Sequence, residues 1–369
     1  MKINIASTHR FHLLDLAREL SHQGHDVVFY SYVPKGRCMK FGLCYENVKS
    51  FTWLVAPFFL FQKMFGNKSW ITKYRNIIID KYLKYFMRPC DVYIALGTVY
   101  YESFISAHKR FNAKTIMEWG SKYIDEQQLI LKSINAPTND EYFNERSRLG
   151  YKVVDYIAIS SEHVKDSFIK YGFQPNKLLI NHYGVDLSMF YPTKLAQPIY
   201  DLIMVGGWRL RKGCDLLVKL CEKYNYSLLH VGSITDMAFP VMDNMKHVDS
   251  VNQDELVNYY AHARVFILPS REEGLAMVQA QAIVCGLPLV CSKDSGGRDL
   301  AEMIDSPEFI IEAEDFDLST LHKCVEQALE LASSQEGVRS YAGDIRKNLT
   351  WEAYGQRYDD NLRNIVCNE

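Results

Sequence analysis

At 369 residues the chain exceeds what one ordinary hydrophobic core serves and suits two domains. With 48% hydrophobic and 23% charged residues it is neither disordered, fibrous nor polytopic in a membrane. Its 42 Lys and Arg nearly cancel 44 Asp and Glu, a formal charge of -2, so whole-chain electrostatics give no reason to expect a nucleic-acid partner.

The opening Lys2 to Ala6 reads as a buried strand, Leu13 to Gln23 has helical spacing that stops at Gly24, and Val27 to Tyr30 is a second strand. No basic region, apolar run and small-residue cleavage site precede them, so a secretion signal is not expected. Nine cysteines, an odd number without a C-x-x-C pair, point to reduced thiols in a cytosol rather than to disulfides or structural zinc. The stretch 51–88 combines Trp53, Phe58, Phe59, Phe61, Phe65 and Trp70 with Lys63, Lys68, Lys73, Arg75, Lys81, Lys84 and Arg88 against Asp80 alone. Its most apolar part, Phe51 to Phe61, is too short to cross a bilayer as a helix. Two readings stay open: a solvated helix face over a packed core, or an anionic membrane interface.

Strands recur at Val92 to Leu96, Thr115 to Met117 and Tyr156 to Ile159, the strand-helix alternation of a parallel sheet. A punctuated polar stretch, His182 to Pro198, separates them from a second series. This has strands at Leu202 to Val205, Tyr226 to Val231, Val265 to Leu268, Leu289 to Val290 and Phe309 to Ile311, with a helix over Cys214 to Tyr224. The expected fold is therefore α/β, with two doubly wound, Rossmann-like domains, 1–188 and 189–350. A helix over 351–366 reaches back toward the first. Such sheets bind ligands where their carboxyl ends face a cleft. His9 and His12 follow the first strand and are placed toward that cleft, whereas His163, His247 and His262 are expected on surfaces.

The run Pro269 to Pro288 follows a buried strand and opens a helix at Gly274. Free backbone N–H groups and the positive end of the helix dipole there suit a diphosphate. Upstream, Met204 to Leu217 passes from a strand through Gly206-Gly207 to Lys212-Gly213 and a helix, placing cations beside the same cleft.

Together these runs resemble the retaining glycosyltransferases of family 4, which have the two-domain GT-B fold. The family signature is a Glu, a glycine, a second Glu after seven intervening residues, and a small-residue run ending Cys-Gly-Leu-Pro. Glu273 fills the first position, Gln281 the second, and Cys285 to Pro288 close the run. Lys212 matches the family lysine, while the arginine five residues earlier is Gly207, so Arg209 or Arg211 would replace it. Arg10-Phe11-His12 resembles the first βα loop. Glu118 to Ser121, followed by Gln127-Gln128, resembles a loop lining the donor sugar, with Tyr123 where relatives place histidine. Asn181 to Phe190 resembles the approach to the hinge, and Trp351-Glu352 the opening of the crossover helix.

The resemblance implies transfer of a sugar from a nucleoside diphosphate to a hydroxyl of a glycan or lipid-linked acceptor, as in surface polysaccharide or lipopolysaccharide synthesis. Glu273 and Lys212 would carry catalysis. Arg209, Arg211, Lys212 and the N–H groups of Leu275 and Ala276 would hold the diphosphate. Glu273, Gly274, Gly120, Ser121 and Tyr123 would meet the sugar, Gln281 the ribose and Val251 the base, with His9, Arg10 and His12 contributing from the first domain. No metal and no cofactor beyond the nucleotide sugar are expected, and the expected place of work is the cytoplasm, peripheral to the inner membrane face on the second of the two readings of 51–88. Two alternatives remain, a GT-B nucleotide-sugar epimerase and a non-catalytic nucleotide-sugar-binding subunit of a glycan-assembly complex.

Overall fold

A computed structural model of the chain describes residues 1–335, apart from 67, 195 and 198, together with 346–367. Pro198 of the expected boundary lies outside the described residues, as does the Cys367 side chain. The first sheet has strands β1 (Lys2–Ala6), β2 (Asp26–Ser31), β3 (Val48–Ser50), β4 (Val92–Leu96), β5 (Lys114–Glu118), β6 (Tyr156–Ile159) and β7 (Leu178–Ile180). The second has β8 (Tyr200–Val205), β9 (Leu228–Val231), β10 (Met245–Val248), β11 (Ala263–Leu268), β12 (Leu289–Ser292) and β13 (Ile310–Ala313). Their spatial orders are β3-β2-β1-β4-β5-β6-β7 and β10-β9-β8-β11-β12-β13, and every pairing is parallel.

Helices cover both faces of each sheet, which explains why Ile3, Ile5, Ile94 and Ile116, and likewise Leu202, Ile203, Ile267 and Leu289, are wholly buried. Strand order reverses between β1 and β4 and again between β8 and β11, and crevices form outside the carboxyl ends at such reversals. β3, β7 and β10 were not expected from the sequence. The first two are three residues long, and β10 is a four-residue edge strand reading Met-Lys-His-Val, too short and too polar to show a pattern.

The helix Trp351–Cys367 lies along the helix Phe11–His22 of the first domain. Gly355 permits this approach, since a Cβ there would stand 2.3 Å from Glu19 Cβ. His25 Nε2 meets Asp359 Oδ1 at 2.7 Å, and the Tyr358 hydroxyl donates to Glu118 at 2.6 Å. At the crossing, Val185 N–H donates to the Leu349 carbonyl at 2.7 Å, and Gly184 leaves room for the Trp351 backbone.

Segment 51–88 folds into the helices Thr52–Phe65 and Ser69–Phe86. The first buries only Val55. Trp53, Leu60, Met64 and Phe65 are exposed, so the aromatics are not mainly core, although Phe51 is. The expected basic surface is smaller than its cation count: Lys84 pairs with Glu102 at 2.8 Å, Arg88 with Asp26 at 2.9 Å, and Arg75 is buried. Among the described residues no helix is long and apolar enough to cross a membrane. The described cysteines are all free.

Candidate active site

Two loops at the carboxyl edge of the second sheet meet. After β8 the chain turns at Gly206 and Gly207 and enters the helix Cys214–Tyr224 through Gly213, where a Cβ would stand 2.2 Å from the Pro269 carbonyl oxygen. Only glycine allows this approach, and it brings Lys212 beside the loop after β11. Lys212 Nζ lies 3.0 Å from Glu273 Oε2, and Arg211 Nη2 3.5 Å from the same oxygen. Burial alone would raise the Glu273 carboxyl; Lys212 and then Arg211 outweigh it and hold the group below its ordinary value. Lys212 Nζ also hangs over Gly206, 3.3 Å from where a Cβ would be.

Of the two arginines expected to stand in at 207, Arg209 lies against that glycine. Its Nε and Nη2 stand 3.1 Å from a Cβ built on Gly207, so the guanidinium occupies space that a side chain at 207 would need. Beyond Glu273, the segment Gly274 to Ala276 is an extended lead-in, and the helix begins at Met277 rather than at Gly274. Among the described residues, the N–H groups of Gly274, Leu275 and Ala276 meet no acceptor in the chain.

The first domain closes directly on this loop. A Cβ on Gly274 would be 2.4 Å from the Gly120 carbonyl oxygen and 2.6 Å from Ser160 Oγ. Ser161 Oγ donates to the Gly274 carbonyl at 3.2 Å, and Glu162 N–H to Asp299 at 2.7 Å. His163 Nε2 reaches the Glu273 carbonyl at 2.7 Å, so this histidine belongs to the domain contact and not to a free surface. Burial lowers its imidazole below the usual value. Between the domains, Ser121, Gln127 and Asn139 face Arg209 and Arg211 across a polar cavity of about 230 Å³.

Glu272, which is wholly buried, was not expected from the sequence. It accepts from Arg211 at 2.8 Å, Gln127 at 3.0 Å and the Lys122 N–H at 3.1 Å, binding the two domains through one carboxylate. Lys122 Nζ adds an interdomain pair with Asp294 at 2.6 Å. The available signal was a second acid adjoining Glu273, directly after Arg271.

Other expected residues are placed differently. Tyr123 stacks on Tyr171 at 4.3 Å and packs against Tyr151 and Phe168, and burial raises its phenol; the structure turns it into a first-domain aromatic cluster and not to Glu273. His12 is likewise drawn inward, with Nε2 2.9 Å from Glu118 and its ring against Tyr183. His9 lines a different cavity with Arg10. Arg10 Nη1 donates to Gln253 at 2.9 Å, two residues beyond Val251 on the second domain. Val251 is half-buried against the second core. Gln281 is buried, its Oε1 3.4 Å from the Tyr260 hydroxyl. Among the described residues no group of three His, Cys, Asp or Glu side chains is placed to hold a metal ion.

The family model described as "Glycosyl transferases group 1" matches residues 193–343. An uncharacterized glycosyltransferase of Methanocaldococcus jannaschii is 24% identical over 189 residues, 48% of this chain and 51% of that protein. A GDP-mannose-dependent monoacylated alpha-(1-6)-phosphatidylinositol monomannoside mannosyltransferase of Corynebacterium glutamicum is 24% identical over 218 residues, covering 50% and 55%. The chain thus spans about half the length of the curated relatives it matches. Among solved structures, Anabaena HepE in complex with UDP and glucose superposes with a TM-score of 0.63 at 12% identity, covering 98% of this chain and 99% of that one. The two Rossmann-like domains are those of the GT-B fold.

Proposed function

We propose that the chain is a retaining, metal-independent glycosyltransferase that moves a sugar from a nucleoside diphosphate to a hydroxyl of a glycan or lipid-linked acceptor. The observation that carries the reading is the Lys212–Glu273 contact, 3.0 Å long, at the meeting of the two loops that end β8 and β11. The acid and the cations have separate work to do there. Charge builds on the departing diphosphate as the sugar bond breaks, and Lys212, with Arg209 beside Gly207, is placed to neutralise it. The unaccepted N–H groups of Gly274, Leu275 and Ala276 add donors to the same anion. Glu273, kept ionised by those cations, accepts from sugar hydroxyls and supports the developing positive charge on the ring.

A retaining reaction at this site needs no side-chain base. When the acceptor hydroxyl attacks from the face the nucleotide leaves, the departing phosphate oxygen takes the proton, and the protein positions and stabilises. This fits the inward placement of Tyr123 and His12, neither of which then has a proton to move. The relatives support the donor and acceptor classes: HepE was solved with UDP and glucose, and the Corynebacterium enzyme is named for a phosphatidylinositol mannoside. The apolar outer face of the helix Thr52–Phe65 would bring the protein to a membrane bearing such an acceptor.

The test is thermal stabilisation by a panel of nucleoside diphosphates and their sugars without added metal. The expected result is a selective upward shift for one nucleotide and its sugar, lost for both in Lys212→Ala and for the sugar-bearing ligand alone in Glu273→Ala. Saturating donor without any shift would overturn the transferase reading. Conversion of the donor sugar without acceptor would favour the epimerase, and binding without turnover on any acceptor the non-catalytic subunit.

A further inference from the structure

The helices Ile124–Ser133 and Glu141–Val153 of the first domain, with the loop 134–140 between them, enclose a cavity of about 270 Å³. It is separate from the polar cavity shared with Arg209 and Arg211. Gln127 lines that one and its neighbour Gln128 this one, while Asn139 borders both.

Two polar atoms in the wall of this cavity lack partners. Gln128 is 6% exposed and Asn144 3%, and both line the cavity. Gln128 Oε1 accepts from the Asn139 N–H at 3.0 Å, which fixes the orientation of its amide. Asn144 Nδ2 donates to Glu141 Oε2 at 3.2 Å, which fixes the second amide in the same way. What is left over is one donor, Gln128 Nε2, and one acceptor, Asn144 Oδ1, both buried and without a partner among the described residues. Exchanging O and N in either amide would set donor against donor or acceptor against acceptor, so rotating the amides does not cure the mismatch. A buried donor and acceptor left open are costly, and a hydroxyl, which both donates and accepts, satisfies either.

The charges around the pair speak against an ionic ligand. Arg148 binds Asp125 at 2.5 Å and Glu141 at 2.7 Å, and Lys132 brings the charges lining the cavity to zero. The volume speaks against a large one. It is several times the roughly 30 Å³ share of one water and falls below the range of about 300–1,000 Å³ that drug-sized ligands occupy. Leu129, 58% exposed, offers apolar surface beside the polar pair.

We propose that this cavity binds one neutral hexose unit of a glycan, with sugar hydroxyls meeting Gln128 Nε2 and Asn144 Oδ1 and ring carbons resting on Leu129. This accessory carbohydrate site is distinct from the Lys212–Glu273 contact and stands independently of the transferase reading.

The experiment is a saturation-transfer NMR titration of the full chain with the methyl α-glycosides of glucose, mannose and galactose, with glycerol and glucuronate as parallel arms. At least one glycoside is expected to bind about tenfold more tightly than glycerol or glucuronate. Gln128→Met and Asn144→Leu should each weaken that glycoside about tenfold, the weight of one hydrogen bond to a buried partner, with nucleoside diphosphate binding unchanged. The hydrogen bonds that these variants also lose reach the exposed residues Asn139 and Glu141, so the melting temperature without sugar should change little. A lowered melting temperature with unaltered glycoside affinity would make both amides packing residues and overturn the proposal. Saturation transfer to none of the glycosides would leave the pair to water and overturn it as well. Equal affinity for glycerol overturns the ring, and equal affinity for glucuronate overturns the neutral ligand. Should the buried variants not fold, the exposed Leu129→Asp decides: it is expected to weaken the glycoside severalfold, and no change overturns the site. Nucleotide binding in the same preparations separates the two failures, since glycoside binding without nucleotide binding refutes only the transferase reading.

Discussion

Glu273 faces the Lys212 ammonium across 3.0 Å, and the two residues come from loops that meet only because Gly213 lets the second-domain helix start against Pro269. Removing either partner should cost turnover far more than folding. For Lys212→Ala and for Glu273→Gln the expected loss of kcat/KM is on the order of 10²- to 10³-fold, the size found for one preorganised electrostatic contact. The Glu273 carboxyl sits below its ordinary value, so the pair is fully formed above about pH 4.3 and is lost only as pH falls through its lower folded value. Donor affinity measured from pH 8 down to 5 should therefore show no titration belonging to Glu273; an acid limb that disappears in Glu273→Gln would contradict the ion pair.

Glu272 has the opposite character, a buried structural acid one residue from the acid proposed to meet the donor sugar. Its truncation to Ala leaves Arg211, Gln127 and the Lys122 N–H without their buried acceptor, and breaking such a buried pair costs roughly 3–5 kcal/mol. Lys122→Ala deletes the partly exposed pair with Asp294 and should cost about 1 kcal/mol. Urea unfolding of the two variants checks the contrast, and equal costs would mean that Glu272 does not clasp the domains.

The alternation of strands and helices made both sheets legible in the sequence, because parallel strands buried on both faces read as unbroken apolar runs. The same rule hid β3 and β10, whose edge positions tolerate Lys49, Lys246 and His247. The meeting of Lys212 and Glu273 was legible for a related reason: each precedes a glycine, Gly213 or Gly274, at which the fold leaves no room for a side chain. Tyr123 and His12 were not, since spacing along a loop does not say which way a side chain turns, and here aromatic packing and Glu118 decided it. Glu272 was hidden because its three partners come from separate parts of the chain, two of them in the other domain.

His230 links acidity to the loop after β8. It is wholly buried beneath Trp208 and Phe239, and its Nε2 donates to the Gly206 carbonyl at 2.8 Å, so its Nδ1 accepts from His247 Nδ1 at 2.9 Å. Burial lowers its imidazole to about 4. An unfolded histidine titrates near 6.5, so between these values the unfolded chain binds the extra proton. Stability is complete above about pH 6.5 and falls as pH drops toward 4, by about 3 kcal/mol at most. Urea midpoints between pH 7.5 and 4.5 should decline accordingly. His230→Phe should flatten that decline while lowering stability at neutral pH through the orphaned Gly206 carbonyl. A decline that is as steep in the variant would place the proton elsewhere.

The outer face of the helix Thr52–Phe65 presents Trp53, Leu60, Met64 and Phe65 to solvent, with Lys63 on the same helix and Lys68 and Lys81 exposed nearby. Apolar side chains together with lysines that have no ion pair among the described residues suit an interface with anionic lipid, where each lysine contributes about 1 kcal/mol. Sedimentation with vesicles containing anionic lipid should carry the protein down, and Lys63→Glu, Lys68→Glu and Lys81→Glu together should weaken that association about a hundredfold or more. Leu60→Ser with Met64→Ser should weaken it by an apolar route that added salt does not reproduce. Arg75 has no part in this set because it is buried, and its substitution should leave vesicle binding intact. Failure to sediment, or sedimentation indifferent to the lysine reversals, would show that this face meets something other than an anionic membrane.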